Sequence, residues 1–357
     1  MKHLFILVPS LQPTGPVKGA IALANSLADI RPITLVYLKH GPTGKDLPLD
    51  RRVHIVSLTH EKSYLRKFRR YRSLLLNAGG REHVASVSFC FSADMVNLFC
   101  RRQAVTGSSI RGNLLQNYRE TYGLLGIPLA ITHLVAMRRF DHVVSMSSAM
   151  AKQVHFYTSR HPAIIGNFVD EAMLEPYRRT IPNKGPLRFI FLGSLTPRKR
   201  PMALLNAIYE LYKKKVDVHL DIVGEGPMKK QLEAGIARLG LGDLVALHGH
   251  LSVPYHLVSQ SDVLVLPSSS EGIARASLEA LHLGIPCVLR NIDGNNELIF
   301  TGVNGALFDR DVELVDAMQR VAEWSRNRET IDKSLLPPAF RQYFAARQYI
   351  ALMESKA

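Results

Sequence analysis

The sequence of 357 residues has few of the residues and patterns that mark secreted, repetitive or membrane-spanning proteins. Its three cysteines, Cys90, Cys100 and Cys287, are odd in number and scattered, so they predict neither a disulfide framework nor a metal site. No low-complexity tract or short repeat is present, and no uninterrupted apolar run approaches the roughly 18 residues of a spanning helix. These absences favour a globular protein of the reducing cytosol.

The N-terminal apolar stretch is short as well. Leu4–Val8 is shorter than the roughly 7–15 residues of a signal-peptide core, and no small-residue cleavage site follows it. We therefore predict that this stretch is the first buried strand rather than a targeting segment.

Length and pattern together predict two domains. A chain of 357 residues can bury two cores, and strands alternate with helices in both halves, which favours parallel sheets in α/β domains. Asn183–Pro186 has the composition of a linker. We therefore predict a first domain over residues 1–182, a second over 183–336, and a final helical segment over 337–357.

Two glutamates lie just beyond a predicted buried strand. The apolar run Val263–Leu266 is followed by a Ser-rich loop with Glu271, and the helix-forming stretch after Gly272 contains Glu279. Such a strand-to-helix loop presents backbone N–H groups to a ligand at the edge of the sheet. Two interpretations fit the pair alone, a ligand site or a capping acid with a surface glutamate.

A glycine and two cations follow another predicted strand. Gly193 comes directly after Phe189–Leu192, and Arg198 and Lys199 follow a few residues later. Arg grips a phosphate through two donors and Lys acts as a point charge, so the pair suits a diphosphate. A solvated turn is the alternative.

Taken in order, these segments resemble the donor-site motifs of the family 4 retaining glycosyltransferases. The resemblance is carried by Phe191–Lys199, Leu220–Pro227, Leu247–His250, Ser268–Ala280, Asp293–Ile299 and Asn304–Phe308. Two positions depart from the family pattern: Ser194 stands where an Arg is common, and Gly272-Ile273 stand where an aromatic residue and a Gly are usual.

The resemblance implies the GT-B fold, with two Rossmann-like, doubly wound α/β domains facing across a cleft, and a last helix that crosses back to the first domain. It implies a nucleotide-sugar donor, UDP-linked or GDP-linked, and transfer with retention of configuration. Glu271, Arg198 and Lys199 would be the catalytic residues. The donor would also be bound by the remaining motif positions, Gly193, Gly224, Gly272, Ile273, Ala274 and Glu279. Neither a cofactor nor a metal is expected.

The acceptor side is predicted in the first domain. The loop from Pro9 to Gly19 resembles the family's first loop, so Gly15 and Lys18 are candidates. Where many members carry a His, this sequence has Arg111 and Asn113. Arg111 cannot act as a neutral base, so phosphate binding and a structural salt bridge are the two interpretations.

Positive charge is concentrated in the first half of the chain. The net charge is +15, and residues 1–180 contain 24 Lys and Arg against 11 Asp and Glu, while residues 181–357 contain 21 against 19. A basic amphipathic helix is predicted around Arg66, Lys67, Phe68, Arg69 and Arg70. It would either dock on anionic lipid or be an ordinary helix with a solvated basic face. Nucleic-acid binding lacks an accompanying motif.

Two further patterns suggest metal binding and are better explained otherwise. Asp309-Arg310-Asp311 is read as a helix start, and His248 with His250 lacks a third ligand.

These observations predict a cytoplasmic glycosyltransferase, peripheral on the inner face of the bacterial plasma membrane. It would extend a lipid-linked saccharide for O-antigen, lipopolysaccharide or capsule. A GT-B nucleotide-sugar epimerase and a noncatalytic basic lipid- or nucleic-acid-binding protein are the alternatives.

Overall fold

The protein, described here by a computed structural model, folds into two compact units. The structure describes residues 1–12, 14–41, 49–181 and 183–355. The first unit comprises Met1–Asp170 and Pro338–Ala357, and the second comprises Glu171–Pro337. Residue 182, where we predicted the boundary, lies outside the described residues, as do 356 and 357. The described residues 171–181, which we predicted in the first domain, belong to the second unit, and so does Pro337, which we predicted in the final segment.

The first unit is built on a seven-stranded parallel sheet with the strand order β3-β2-β1-β4-β5-β6-β7. Its strands are β1 His3–Val8, β2 Ile33–Tyr37, β3 His54–Ser57, β4 Val84–Phe89, β5 Val105–Ile110, β6 His142–Ser145 and β7 Ala163–Ile164. Its first six helices are α1 Gly15–Leu27, α2 Tyr64–Asn77, α3 Phe91–Asn97, α4 Leu114–Tyr122, α5 Gly126–Ala136 and α6 Ser148–Thr158.

The central strands of this sheet are covered on both faces. Every residue of β4 and of β5 is buried, and so is β1 after His3. That burial explains why these strands read as nearly continuous apolar runs or small residues rather than as alternating patterns. The order of the strands reverses between β1 and β4, so the loops after these two strands meet at the carboxyl edge.

The segment Leu114–Arg139 is long and apolar enough to cross a membrane by length and composition, and 28% of its most apolar window is buried. It is not one straight rod. The short turn Gly123–Leu125 separates α4 from α5, and a Cβ on Gly126 would lie 2.0 Å from the carbonyl oxygen of Tyr118. The segment is therefore a hairpin of two packed helices, which is a common arrangement in globular proteins.

The second unit has a six-stranded parallel sheet with the order β10-β9-β8-β11-β12-β13. Its strands are β8 Leu187–Leu192, β9 Val218–Val223, β10 Val245–Gly249, β11 Val263–Leu266, β12 Cys287–Arg290 and β13 Gly305–Phe308. Its helices are α7 Glu171–Leu174, α8 Pro201–Lys213, α9 Lys229–Leu239, α10 Tyr255–Ser259, α11 Arg275–His282, α12 Asn295–Leu298 and α13 Asp311–Asn327.

The last helix, α14 Gln342–Glu354, belongs to the first unit although it follows the second in the chain. Tyr349 and Met353 are buried in the core beside α1 and the sheet. The Tyr349 hydroxyl lies 2.8 Å from the Ser109 hydroxyl of β5, and the Met353 methyl occupies the space beside Gly107. The chain thus returns to its starting unit to complete that unit's core.

Candidate functional site

The carboxyl edge of the second sheet carries the predicted donor-site residues. The loop after β8 contains Gly193, Arg198 and Lys199, and the loop after β11 contains Glu271. β8 and β11 are neighbours at the point where the strand order reverses, since β9 lies on one side of them and β12 on the other. Open α/β sheets bind ligands outside the carboxyl ends of strands at such a switch point.

Glycines bring the backbones of these loops into direct contact. Gly224 has a φ of 149°, and a Cβ there would lie 1.9 Å from the Gly193 carbonyl oxygen. Gly294 has a φ of 89°, and its Cβ would lie 1.4 Å from the carbonyl oxygen of Gly272. Any side chain at either position would force the loops apart. The edge is therefore formed largely by closely packed backbone.

A buried ion cluster joins the loops after β8 and β11. The Glu271 side chain is 8% exposed; its Oε1 lies 2.5 Å from Lys199 Nζ, and its Oε2 lies 3.4 Å from Arg198 Nη1. Arg198 also donates to the Ser270 carbonyl at 2.7 Å. Burial by itself raises the pKa of Glu271, but the two cations outweigh burial and lower it overall. Glu271 is thus held as a carboxylate next to two positive charges.

Glu279 is buried as well, and it lies one turn into α11. Its carboxylate accepts a hydrogen bond from Arg275 Nε at 3.1 Å, and the Tyr255 hydroxyl is 3.5 Å away. The alternative of a capping acid and a surface glutamate therefore describes neither residue. Ala274, not Glu271, is the residue that precedes α11, and Glu279 is only 5% exposed.

Ile273 and Ala274 have buried side chains, at 3% and 6% exposure. They lead directly into the N-terminus of α11, where backbone N–H groups and the helix dipole favour negative charge. What these two residues offer to a ligand is consequently backbone rather than side chain.

Two arginines that the sequence analysis did not single out converge on the start of α13. Arg200 Nη2 lies 2.5 Å from Asp311 Oδ2, and Arg290 forms an ion pair with the other oxygen of the same carboxylate. Burial raises the pKa of Asp311, but the two arginines outweigh it and lower the pKa overall. Asp311 is the first residue of α13, as the helix-start interpretation predicted. Over the described ranges, no three His, Cys, Asp or Glu side chains are grouped so that they could hold a metal ion.

In the first unit, Arg111 follows β5 at the carboxyl edge and is held on several sides. Its guanidinium lies 5.0 Å from the ring centroid of Phe89 and 5.9 Å from that of Phe168. It donates to Asn167 Oδ1 at 3.0 Å and to the Tyr349 hydroxyl at 3.2 Å. These contacts fix the direction of the guanidinium by aromatic packing and neutral acceptors.

The other acceptor-side candidates differ in their surroundings. Asn113 caps α4: its side-chain oxygen accepts from the Gln116 N–H at 3.0 Å and from Gln153 Nε2 at 2.9 Å. Its carbonyl oxygen is thus occupied by local structure, which a cap signal before Leu114 could have indicated. Gly15 begins α1 with open space around it, and Lys18 is half-buried in the first turn of that helix.

A buried hydrogen-bonded chain beside Arg111 was not predicted. His133 of α5 lies 2.9 Å from Asp94 Oδ2 through Nε2 and 2.9 Å from the Tyr118 hydroxyl through Nδ1. All three residues line, with Arg111, a cavity of about 270 Å³ at the carboxyl edge of the first sheet. The histidine comes from a helical hairpin rather than from the end of a strand, so no local motif marks it.

The basic helix predicted from the sequence is α2, and it packs against its own unit. Lys67 is buried and its Nζ donates to the Leu38 carbonyl at 2.7 Å, while Phe68 is half-buried against the core. Arg66, Arg69 and Arg70 are exposed. Lys67 and Phe68 therefore do not share the solvent-exposed basic face, because Lys67 is bonded to the Leu38 carbonyl and Phe68 packs against the core of the unit.

Two parallel, doubly wound α/β units with this strand order define the GT-B class, as we expected. A solved structure of Anabaena Alr3699/HepE, in complex with UDP and glucose, matches 100% of this chain and 100% of its own with a TM-score of 0.79. The identity is 19%, so the likeness concerns the fold alone.

Residues 176–334, nearly the whole second unit, match the family of glycosyl transferases group 1. This match confirms the resemblance seen in the motifs.

Curated relatives match over a similar length. The alpha-D-kanosaminyltransferase of Streptomyces kanamyceticus is 28% identical over 158 residues, or 43% of this chain and 41% of the relative. The UDP-Gal:alpha-D-GlcNAc-diphosphoundecaprenol alpha-1,3-galactosyltransferase of Escherichia coli is 31% identical over 178 residues, or 45% of each chain. The chain thus spans less than half the length of these two relatives.

We predict that Lys199→Met destabilises the second unit at pH 7 by about 3 kcal/mol, because it removes the nearer of the two cations that pair with a buried carboxylate. Since the pKa of Glu271 is lowered in the folded protein, the ion pair stabilises the fold fully at pH values above the pKa that glutamate has in the unfolded chain. That stabilisation is lost as the pH falls through the lowered pKa that Glu271 has in the folded protein. The difference in the free energy of unfolding between variant and wild type should therefore become smaller below about pH 4. Denaturant unfolding at several pH values measures this.

Lys213→Met is the matched control, because Lys213 pairs with Glu210 on an exposed helix surface. We expect little change in the free energy of unfolding of Lys213→Met at any pH. A Lys199→Met variant as stable as this control at pH 7 would contradict the importance of the ion pair.

Proposed function

We propose that this protein is a retaining glycosyltransferase that transfers a sugar from a nucleotide-sugar to a lipid-linked saccharide during assembly of a bacterial surface glycan. The observation that carries the proposal is the buried Glu271 carboxylate between Lys199 and Arg198, at the switch point of a sheet whose unit matches the family of glycosyl transferases group 1. A UDP-sugar is the favoured donor, with a GDP-sugar as the alternative, since a structural neighbour is complexed with UDP.

In this proposal the donor diphosphate lies against Arg198, Lys199 and the backbone near Gly193 and Gly224. Developing negative charge on the leaving group is stabilised by these cations and by preorganised backbone donors near Gly272, Ile273 and Ala274. Glu271 accepts hydrogen bonds from the hydroxyls of the sugar, and Glu279 from the ribose. Lys199 then contacts both Glu271 and the phosphate, which fixes the sugar relative to its leaving group.

The reaction breaks the bond between the anomeric carbon and the phosphate oxygen and forms a bond from that carbon to the acceptor oxygen. The acceptor attacks from the side of the leaving group, and its proton passes to the departing diphosphate. Glu271 lies in the loop before α11 and Glu279 lies one turn inside that helix, and both serve as binding groups, not as the paired carboxylates of a glycoside hydrolase.

The acceptor is assigned to the first unit, near Arg111 and the start of α1 with Gly15 and Lys18. A lipid-linked acceptor is supported by a relative that transfers galactose to GlcNAc-diphosphoundecaprenol. The exposed arginines of α2, Arg66, Arg69 and Arg70, would attract an anionic membrane surface. We therefore assign the protein to the cytoplasm, on the inner face of the plasma membrane.

The donor assignment is tested by thermal shift with a panel of UDP-, GDP- and ADP-sugars, since a ligand stabilises by RT ln(1 + [L]/Kd). We expect one UDP-sugar to raise the Tm of wild type. Glu279→Gln should weaken its binding by about 1–3 kcal/mol, the range for a lost charged hydrogen bond. Glu271→Gln should mainly lower kcat in a transfer assay. If both variants bind and turn over like wild type, the site has been misassigned.

Metal independence is a second expectation, because Arg198, Lys199 and the N-terminus of α11 would supply the positive charge that a metal supplies elsewhere. Transfer should continue in EDTA at an unchanged rate. Abolition by EDTA with recovery in Mn²⁺ would refute this part of the mechanism.

Membrane attachment is tested by sedimentation with vesicles of phosphatidylcholine and phosphatidylserine. Replacing Arg66, Arg69 and Arg70 by Gln should weaken binding by up to about 100-fold, at about 1 kcal/mol per charge. Added salt should weaken wild-type binding, because exposed charges are screened beyond about 8 Å. The matched control replaces the exposed Lys213, Lys214 and Lys215 of the second unit by Gln. Equal loss in both triple variants would show that binding depends on net charge and not on α2.

A further inference from the structure

An apolar groove runs between α2 and α3 in the first unit, with a volume of about 720 Å³. Its walls are mainly Leu65 and Phe68 on one side and Phe91, Met95 and Phe99 on the other. The rings of Phe68 and Phe99 meet edge to face at 6.2 Å. Leu65 and Phe99 remain 58% and 57% exposed, so an apolar surface is left open to solvent. The volume lies within the roughly 300–1,000 Å³ of small-molecule sites, which are mostly apolar.

Positive charge lies at the Tyr64 end of this groove. Lys39 lines the groove with its Nζ 5.9 Å from the centroid of the Tyr64 ring, and the Nζ of Lys67 lies 5.4 Å from the same centroid. The hydrogen bond from Lys67 to the Leu38 carbonyl holds that ammonium in place. Tyr64 is one helical turn from Phe68, so the groove has a cationic end and an apolar body.

The surroundings reinforce this polarity. Residues 62–77 contain six Lys and Arg and no Asp or Glu. Arg69 lies one turn after Leu65 on the same face of α2. Asp94 of α3 is buried and hydrogen-bonded to Ser88 and His133. An occupant with a hydrocarbon chain and an anionic head is complementary to both parts of the groove.

The groove also adjoins the acceptor side. Phe91 lines it and lines the polar cavity that contains Arg111 and Tyr118. Lys39 and Phe91 each follow a strand of the first sheet, β2 and β4, at the same carboxyl edge. A ligand could therefore place a chain in the groove and a polar group in the cavity on the other side of one ring.

We propose that this groove binds the hydrocarbon chain of the lipid-linked acceptor, with the lipid phosphate near Lys39 and Lys67. The inference rests on the proposed function for its choice of acceptor. It goes further than the proposed function because it assigns the hydrocarbon chain of the acceptor to a groove within the first unit. The apolar side of α2 binds this one lipid chain, while the exposed arginines face the membrane surface.

The test uses the whole chain and alkyl phosphates from hexyl to dodecyl, below their micelle concentrations, with calorimetry to measure Kd. Each methylene that enters the groove should tighten binding by about 4-fold, until the groove is filled and the affinity becomes constant. Inorganic phosphate should bind at least 100-fold more weakly than decyl phosphate, and decanol at least 10-fold more weakly. Lys39→Gln should reduce the preference for the phosphate over the alcohol.

Leu65→Ser should weaken the binding of decyl phosphate at least 10-fold, and Phe99→Ser should do the same. Matched controls are Leu76→Ser, a similarly exposed leucine of α2 outside the groove, and Phe156→Ser, an exposed phenylalanine on α6. Both controls should bind like wild type. Because all four side chains are at least half exposed, the variants should keep the wild-type Tm, which is measured alongside.

Two results would overturn the assignment: wild-type affinity in Leu65→Ser and Phe99→Ser, or binding to anionic vesicles with no binding of monomeric alkyl phosphates. The second would assign the face to the membrane surface. A separate transfer assay tests the proposed function. If wild type transfers no sugar to lipid-linked saccharides yet binds alkyl phosphates as described, the enzyme assignment fails and the groove stands.

Discussion

The second unit depends on keeping one carboxylate charged inside protein. Burial alone would raise the pKa of Glu271, and the approach of Lys199 and Arg198 outweighs burial and lowers it overall. The cations come from the loop after one strand and the acid from the loop after its neighbour, so the electrostatic requirement also ties the two loops together. A parallel sheet makes this arrangement available because its strands end at a common edge.

Several strands, the fold class and the start of α13 could be predicted from the sequence, because each depends on residues that are close together in the chain. Short apolar runs predicted β1, β8 and β11 within two residues, and the order of the motifs predicted the GT-B class. The Asp311 helix start was predicted from its position after a short apolar strand. In each case the residues that decide the structure are neighbours in the chain.

The rest could not be predicted because it depends on contacts between distant residues. The ion pairs of Arg200 and Arg290 with Asp311 join positions 111 and 21 residues apart, and His133 reaches Asp94 only through the folding of a hairpin. Lys67 looked like a member of an exposed basic face, because helical periodicity alone does not say how far the neighbouring elements extend. Asn113 was taken for a ligand group although its place before a helix also suited a cap.

The contact between Gly294 and the Gly272 carbonyl restricts which residues of the site can change during evolution. Because backbone meets backbone, neither loop can accept a larger residue at that point without displacing the other. Natural variation should therefore be confined to side chains further out, where new contacts with different sugars can arise while the inner frame stays constant. A ligand would meet a surface that is already ordered, and its affinity would lose little to the freezing of side-chain rotations.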